Sequence, residues 1–264
     1  MNFRICISLF LLCCLLQPST AQKPVTKPKE VTVKAMTYNT YSGRKQGIDK
    51  IAEVIKKENP DIVSLQEIER NTEINPWDTP KKLSELTGMK YYYFAHALDI
   101  PTGGDYGNVI LSKYPVSEEK SFKLSVLKEG DYVRSFGYLK VVKEGKEFYF
   151  ATTHLDHKYE DATRLKQVDE ILACVEHLDK PVILGGDLNS RRGSATMAAF
   201  QKYFTVNCLS DGAPWTVPVP SPAYACDWLI YAPNEAFTVK AYNVCYWADK
   251  ESDHYPVVAT YLIK

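Results

Sequence analysis

The 264-residue chain has no excess of either charge, because 32 basic side chains stand against 32 acidic ones, so its bulk composition gives no long-range attraction to a polyanion. That argues against a protein built to coat DNA. It also lacks a bilayer-length apolar stretch: the run Ile5–Leu16 has 12 residues, well short of the roughly 20 that a helix needs to cross a membrane. There is no internal repeat, no low-complexity tract and no long Gly, Ser or Pro linker to separate two domains. Beyond Ala21 there is no CxxC pair, which removes the usual support for a structural zinc site. What is present, 45% hydrophobic and 24% charged residues, is the make-up of a folded globular chain and excludes a disordered or collagen-like one.

The N-terminus reads as a targeting segment. Met1–Arg4 is a short basic start, Ile5–Leu16 the apolar run, and Ser19-Thr20-Ala21 supplies small residues for a peptidase, so residues 1–21 are expected to be a signal peptide cut after Ala21. Export to a periplasm or to the outside follows. Lipid attachment at Cys13 or Cys14 is the lesser reading, because Leu11-Leu12 stand where small residues would precede a lipidated cysteine. Residues 22–30 form a polar lead-in, and 31–264 are expected to be one domain. Of the seven cysteines, Cys174, Cys208, Cys226 and Cys245 would reach an oxidising compartment, where their number permits pairing without requiring it.

Hydrophobic periodicity then alternates between helix and strand. Val31–Tyr38 reads as a strand, and Ile48, Ile51, Val54 and Ile55 recur at helical spacing until Asn59-Pro60. Ile62–Leu65 is a second strand, Pro80 to Thr87 a second helix closed by Gly88, and Tyr91–Phe94 an aromatic strand. Asn108–Leu111, Val116–Leu124, Tyr132–Val142 and Phe148–Thr152 read as a meander. Leu165, Val168, Leu172 and Val175 mark a long amphipathic helix, Pro181–Leu184 a buried strand, and Trp228–Tyr231, Val239–Cys245 and Val257–Leu262 further strands. Two similar halves of this kind suit a four-layer α/β/β/α sandwich, two packed mixed sheets flanked by helices.

Polar residues just after apolar strands are where such a fold places chemistry. Asn39, Glu67, His154, Asp187 with Asn189, and Asp253-His254 all sit at such points. Taken singly, each has an ordinary reading: Glu67 as a solvated loop residue, Asp187 as an Asx-turn former, His154 as a core histidine, Asp253-His254 as a surface pair. Only a fold that gathers strand ends would give them a common purpose.

Together, Thr37-Tyr38-Asn39, Leu65-Gln66-Glu67, Tyr106-Gly107-Asn108-Val109-Ile110-Leu111-Ser112, Thr153-His154-Leu155-Asp156, Gly186-Asp187-Leu188-Asn189 and Ser252-Asp253-His254-Tyr255-Pro256 resemble, in order, the motifs of the endonuclease/exonuclease/phosphatase superfamily. The resemblance spans residues 31–264. It implies the four-layer sandwich, a divalent cation, usually magnesium with manganese or calcium as alternatives, and hydrolysis of a phosphoric ester. It implies no single substrate. By the same resemblance Asp227 backs His254, Asp253 lies next to the metal, and Asn108 neighbours His154.

Ester chemistry explains the residue types. A phosphodiester is anionic and inert, so a site must neutralise its oxygens, deprotonate water and stabilise a departing alkoxide. Glu67 is a hard oxygen ligand for magnesium, and Asn39 can add a neutral oxygen. Asp187 is expected to orient or deprotonate water while Asn189 donates to a phosphate oxygen; His254 is the charged partner of the phosphate and His154 a second imidazole facing it. Arg134, if not a solvent-facing edge residue, offers a planar fork to the phosphate, and Asn108 belongs with it on the substrate side. His96, His157 and His177 are placed with the structural histidines, His157 alone at the rim of the cleft. The basic pairs Arg44-Lys45 and Arg191-Arg192 do not make a DNA groove, so a small or lipid-linked ester is favoured over nucleic acid. The loops around Trp77 and Pro214-Trp215 are read as packed segments rather than a lipid-binding rim. The alternatives are an exported nuclease with the same centre and a noncatalytic binding protein on the same fold. No protein partner is expected.

Overall fold

The computed structural model describes residues 30–130, 132–206 and 214–264. The leader 1–21, all but the last residue of the lead-in 22–30, and Cys208 lie outside the described residues. In chain order the strands are β1 (Val31–Asn39), β2 (Ile62–Arg70), β3 (Tyr91–Asp99), β4 (Asp105–Ser112), β5 (Val116–Leu124), β6 (Arg134–Lys143), β7 (Lys146–His154), β8 (Val182–Asp187), β9 (Asp227–Ala232), β10 (Phe237–Val244) and β11 (Val257–Ile263). The helices are α1 (Ile48–Glu58), α2 (Thr79–Thr87), α3 (Ala162–Val175) and α4 (Ala195–Phe200).

Local chemistry sets the helix boundaries. The face Ile48, Ile51, Val54, Ile55 of α1 is buried, and Asn59 ends the helix in a left-handed conformation with φ 52°. In α2 the Asp78 side chain accepts from the Lys81 backbone N–H at 3.3 Å, which moves the start to Thr79, and Gly88 closes it at φ 73°. The structure corrects several boundaries. β3 runs on to Asp99, β6 starts at Arg134 rather than Tyr132, and α4, a six-residue helix capped by Ser194, is absent from the pattern of apolar residues.

The strands form a six-stranded sheet, ordered β10-β11-β1-β2-β4-β3, and a five-stranded sheet, ordered β5-β6-β7-β8-β9. Each sheet holds one parallel pair, β1 with β2 and β7 with β8, and the helices α1 and α3 make the two crossovers. Three apolar layers result. One lies between the sheets around Phe148, Phe150, Tyr231 and Tyr261. A second is sealed by α1 and Leu83 of α2, and a third by α3 and α4. The four-layer α/β/β/α sandwich expected from the sequence is therefore the fold.

The sheets approach closely at glycines. A Cβ on Gly137 of β6 would lie 2.5 Å from Cβ of Ala95 on β3, so Gly137→Ala forces backbone movement between the sheets. We expect it to cost about 1–3 kcal/mol, the usual range for overpacking, measured as a lower denaturant midpoint at unchanged m value. Below the carboxyl ends of the parallel strands the sheets are also tied by hydrogen bonds. Ser64 Oγ donates to the Gly185 carbonyl at 2.9 Å and meets Thr152 Oγ1 at 2.7 Å, while the Gln66 amide donates to Ser64 Oγ at 2.7 Å. These groups are fully buried, so each tie also satisfies a polar group that water cannot reach.

Candidate active site

Parallel strands expose their carboxyl ends on one edge, and both parallel pairs face the same way. Asn39 ends β1, His154 ends β7 and Asp187 ends β8, with His154 and Asp187 directly paired in register. Asp227 opens the antiparallel β9 opposite Asp187, so it reaches that same edge. His254 arrives on the segment before β11. Glu67 comes from a bulge: the register of β2 against β4 slips between Leu65 and Ile68, and Glu67 adopts φ 57°. A left-handed glutamate costs about 1–3 kcal/mol and turns the carboxylate out of the pleat.

Asp187 is the hub. Its Oδ2 accepts from Asn39 Nδ2 at 3.0 Å and lies 3.4 Å from His154 Nε2 and 3.9 Å from His254 Nε2, while its Oδ1 accepts from the Asn189 backbone N–H at 2.9 Å. It is thus an Asx-turn former and a site residue at once. Asn39 also donates to Glu67 Oε1 at 3.3 Å, and its own oxygen accepts from the Tyr41 backbone N–H at 3.1 Å. The amide therefore turns nitrogen, not oxygen, toward the carboxylates. Asn189 donates its side chain to the Leu155 carbonyl at 3.0 Å.

Environment separates the two histidines. His254 Nδ1 lies 2.8 Å from Asp227 Oδ2. Burial opposes its charge, but the carboxylates of Asp227, Asp187 and Asp253 outweigh that and push its pKa up to about 10. His154 is driven the other way, well below the usual range, by complete burial and by the charges of Arg134, His254 and His157. Arg134 donates to its Nδ1 at 3.2 Å, which leaves the proton on Nε2, facing Asp187. One imidazole is thus charged and its neighbour neutral. Burial raises both Glu67 and Asp187; Asp187 further raises Glu67, and Asp227 further raises Asp187.

Arg134 is buried, not an edge residue in solvent. It donates to the Tyr106 hydroxyl at 3.1 Å, and its Nε has no protein partner. Asn108 is committed to Ser135, donating to its carbonyl at 3.1 Å, with its own Oδ1 unpartnered. Glu67, Arg134, His154, His157, Asp187, Asn189 and His254 line a cleft of about 520 Å³; Asn39, Asn108, Asp227 and Asp253 stand outside that lining. Asp253, half-buried, accepts from the Ser252 hydroxyl at 3.3 Å. His157 sits on the rim as expected, whereas His96 lies away from it beside Asp99 at 3.0 Å.

Sequence reasoning missed part of the site. Tyr106 opens a motif that drew attention only to Asn108, yet its ring lines the cleft. Thr216 donates to Asp227 Oδ2 at 2.5 Å from a loop with no strand pattern to mark it. Leu98, Ile100 and Pro101 supply an apolar lip, and Arg44 is bound to Glu69 instead of standing free for a polyanion. Trp77 is exposed, with Lys82 Nζ 3.7 Å from its ring centroid, and stands outside the lining of the cleft.

Outside the cleft lining, His96, Asp99 and Asp105 bring ligand atoms within 4.8 Å of one another. Asp187, Cys226, Asp227 and His254 bring ligand atoms within 4.8 Å of one another. One Asp227 oxygen in that group is taken up by the His254 and Thr216 hydrogen bonds, and burial keeps the Cys226 thiol protonated. Around Glu67 the chemistry differs. The charges of Asp187 and Asp253 both raise the proton affinity of the buried Glu67 carboxylate, a repulsion that a hard divalent cation beside Glu67 would relieve. Cys174, Cys226 and Cys245 are free thiols. Among the described residues no helix is long and apolar enough to cross a membrane.

Comparison with known proteins gives a concordant pattern. The model of the Endonuclease/Exonuclease/phosphatase family matches residues 36–254. The uncharacterized protein YbhP of Escherichia coli (strain K12) is 25% identical, the match covering 88% of this chain and 96% of that one. Sphingomyelinase C of Bacillus cereus is 23% identical, with 93% of each chain covered. Among solved structures, an endonuclease/exonuclease/phosphatase from Beutenbergia cavernae superposes with a TM-score of 0.74 at 23% identity, over 88% of this chain and 72% of that one.

Proposed function

The chain belongs to the endonuclease/exonuclease/phosphatase family, whose members hydrolyse phosphoric esters, and on that premise we propose that it is a divalent-metal-dependent hydrolase of small or lipid-linked phosphoesters. The observation that carries the proposal is the convergence of Asn39, His154 and His254, from both sheets, on one oxygen of Asp187. Two imidazoles driven in opposite directions beside one buried carboxylate give the separation of proton affinities that acid–base sites use.

Glu67, oriented by Asn39 and with Asp253 near, would hold magnesium or a comparable hard ion, manganese or calcium, which when bound neutralises phosphoryl charge. The chain's own residues do the rest. Asp187, a carboxylate held above its ordinary range, is the stronger base for that reason and takes the proton of the attacking water at Oδ2. Asn189 keeps one N–H on the Leu155 carbonyl and gives the other to a phosphate oxygen. His254, locked by Asp227 and charged at neutral pH, meets the charge that develops on the phosphoryl group. Arg134 and the Tyr106 hydroxyl add donors from the opposite wall.

Substrate size follows from the cleft. About 520 Å³ with the lip Leu98, Ile100, Pro101 suits a headgroup or a small phosphorylated molecule, and the paired Arg44–Glu69 offers no run of positive charge to a strand of DNA. The likeness to a protein named sphingomyelinase C supports a lipid-linked ester among these. The basic start and apolar run of residues 1–21 support export. Parallel assays on sphingomyelin, inositol phosphates and duplex DNA, with EDTA and with added magnesium, test the proposal. Turnover of a small or lipid ester that EDTA abolishes and magnesium restores is expected. Dominant cleavage of DNA would transfer the site to a nuclease.

A further inference from the structure

Behind Asn189 the cleft opens into a second cavity of about 430 Å³, and His157 and Asn189 belong to both walls. Its lining is cationic, with Lys158, Arg164 and Arg191 set against a single carboxylate, Asp161. Arg164 is a buried, fixed charge: its Nε donates to Asp161 at 3.0 Å, its NH1 to the Asp156 carbonyl at 3.0 Å, and its NH2 to Asp161 at 2.5 Å. Asp161 is spent in holding it.

Two groups on this wall have no protein acceptor or donor to meet. Ser190 is 3% exposed and its hydroxyl has no hydrogen-bond partner, although its carbonyl is anchored by the Trp228 indole N–H at 2.9 Å. Arg191 is exposed and stacks over Tyr224, 4.2 Å from the ring centroid, and none of its N–H groups reaches an acceptor among the described residues. A guanidinium held against a ring is pre-oriented, so less entropy is lost when it grips an anion. The nearby His157 imidazole is pushed down by burial and then by Arg134, with Lys158 and Arg164 adding to the effect against the opposing charge of Asp156.

We infer that this side cavity is a second anion subsite, in which Arg191 and Ser190 take a phosphate that the substrate carries beside the ester being cleaved. The inference rests on the phosphoesterase reading for its use in turnover, but not for the binding of the anion. Among the small and lipid-linked esters, the preferred substrate is accordingly one that carries a second phosphate.

The test compares the parent protein with Arg191→Gln and Tyr224→Leu, neither of which touches the residues that meet the scissile ester. The first arm measures kcat/KM on inositol monophosphate and inositol bisphosphate, and on a dinucleotide with and without a 5′-phosphate, which separates a small polyol source from a strand of nucleic acid. The bisphosphate is expected to be preferred, and each variant to lose roughly 10-fold or more on the doubly phosphorylated member, through KM, with the monophosphate unchanged, as for a charge-assisted hydrogen bond removed. The second arm titrates inorganic phosphate calorimetrically into metal-free protein; loss of one bound phosphate per chain in both variants is expected. Equal use of mono- and bisphosphate by the parent, together with phosphate binding indifferent to Arg191, overturns the subsite. If no ester is hydrolysed but binding of phosphate depends on Arg191, the subsite stands and the hydrolase reading falls.

Discussion

Replacing His254 by glutamine is expected to lower turnover about 10³-fold while leaving the protein folded, because the amide can still reach Asp227 but cannot carry a charge. His254→Ala should be equally inactive and less stable as well. It strips Asp227 of its charged partner at 2.8 Å, leaving a fully buried carboxylate with only the Thr216 hydroxyl and the Cys226 thiol on Oδ2 and nothing on Oδ1, a situation that costs about 3–5 kcal/mol. Steady-state rates and urea midpoints on the two variants separate charge from packing. The pH dependence fixes the sign. His254 binds its proton more tightly in the folded protein, with a pKa of about 10 against an ordinary 6.5, so its stabilising effect is complete below pH 6.5 and disappears as the pH rises through about 10. In EDTA, the stability gap between the parent and His254→Gln should therefore be widest in mild acid and close toward pH 10. A gap that widens with alkalinity would mean that the ring is not held as an imidazolium.

Glu67→Gln should produce opposite effects on activity and stability. Activity should fall roughly 10³-fold or more, and calorimetry should show loss of magnesium affinity, since the substitution removes the one carboxylate that a backbone bulge thrusts into the cleft. In metal-free buffer the same variant should unfold a few degrees higher, about 2–4 °C for each kcal/mol gained in a chain of this size. The reason is electrostatic. Burial and the nearby Asp187 hold the Glu67 pKa above its ordinary range, so in the absence of a cation its charge opposes folding. As that charge is present only above the raised pKa, the stability advantage of glutamine should shrink as the pH is lowered through it. A variant that is both inactive and less stable without metal would show that Glu67 is a structural residue.

The sequence made some parts of this site plain and hid others for physical reasons. Asn39, His154 and Asp187 each follow an apolar strand, so alternation alone places them at strand ends, and parallel pairing of β1 with β2 and β7 with β8 brings those ends to one edge. The bulge at Glu67 left no mark: Leu65-Gln66-Glu67-Ile68 contains neither Gly nor Pro, and the strain is imposed by pairing with β4, 40 residues away in the chain at Gly107. The short helix α4 was invisible because six residues give fewer than two turns of periodicity. Asn39 was expected to point its oxygen into the site, but the Tyr41 backbone N–H claims that oxygen, a contact set by the local turn rather than by residue type. Tyr106, Thr216 and the side cavity depend on which loops meet in space, and no local pattern encodes that meeting.

The position of β11 has a consequence for how such a molecule is made. This strand lies between β10 and β1 in the interior of the larger sheet, in antiparallel register with Val31–Thr37. Pairing Val31 with Ile263 brings together segments from far apart in the sequence, which is a long-range closure and a slow one. His254 is delivered by the segment that leads into β11, so the strand that closes the larger sheet is also the one that seats the imidazole. Sheet closure and delivery of this imidazole are thus one folding event, and a variant that loosens the β1–β11 pairing should disturb the environment of His254 without touching the cleft.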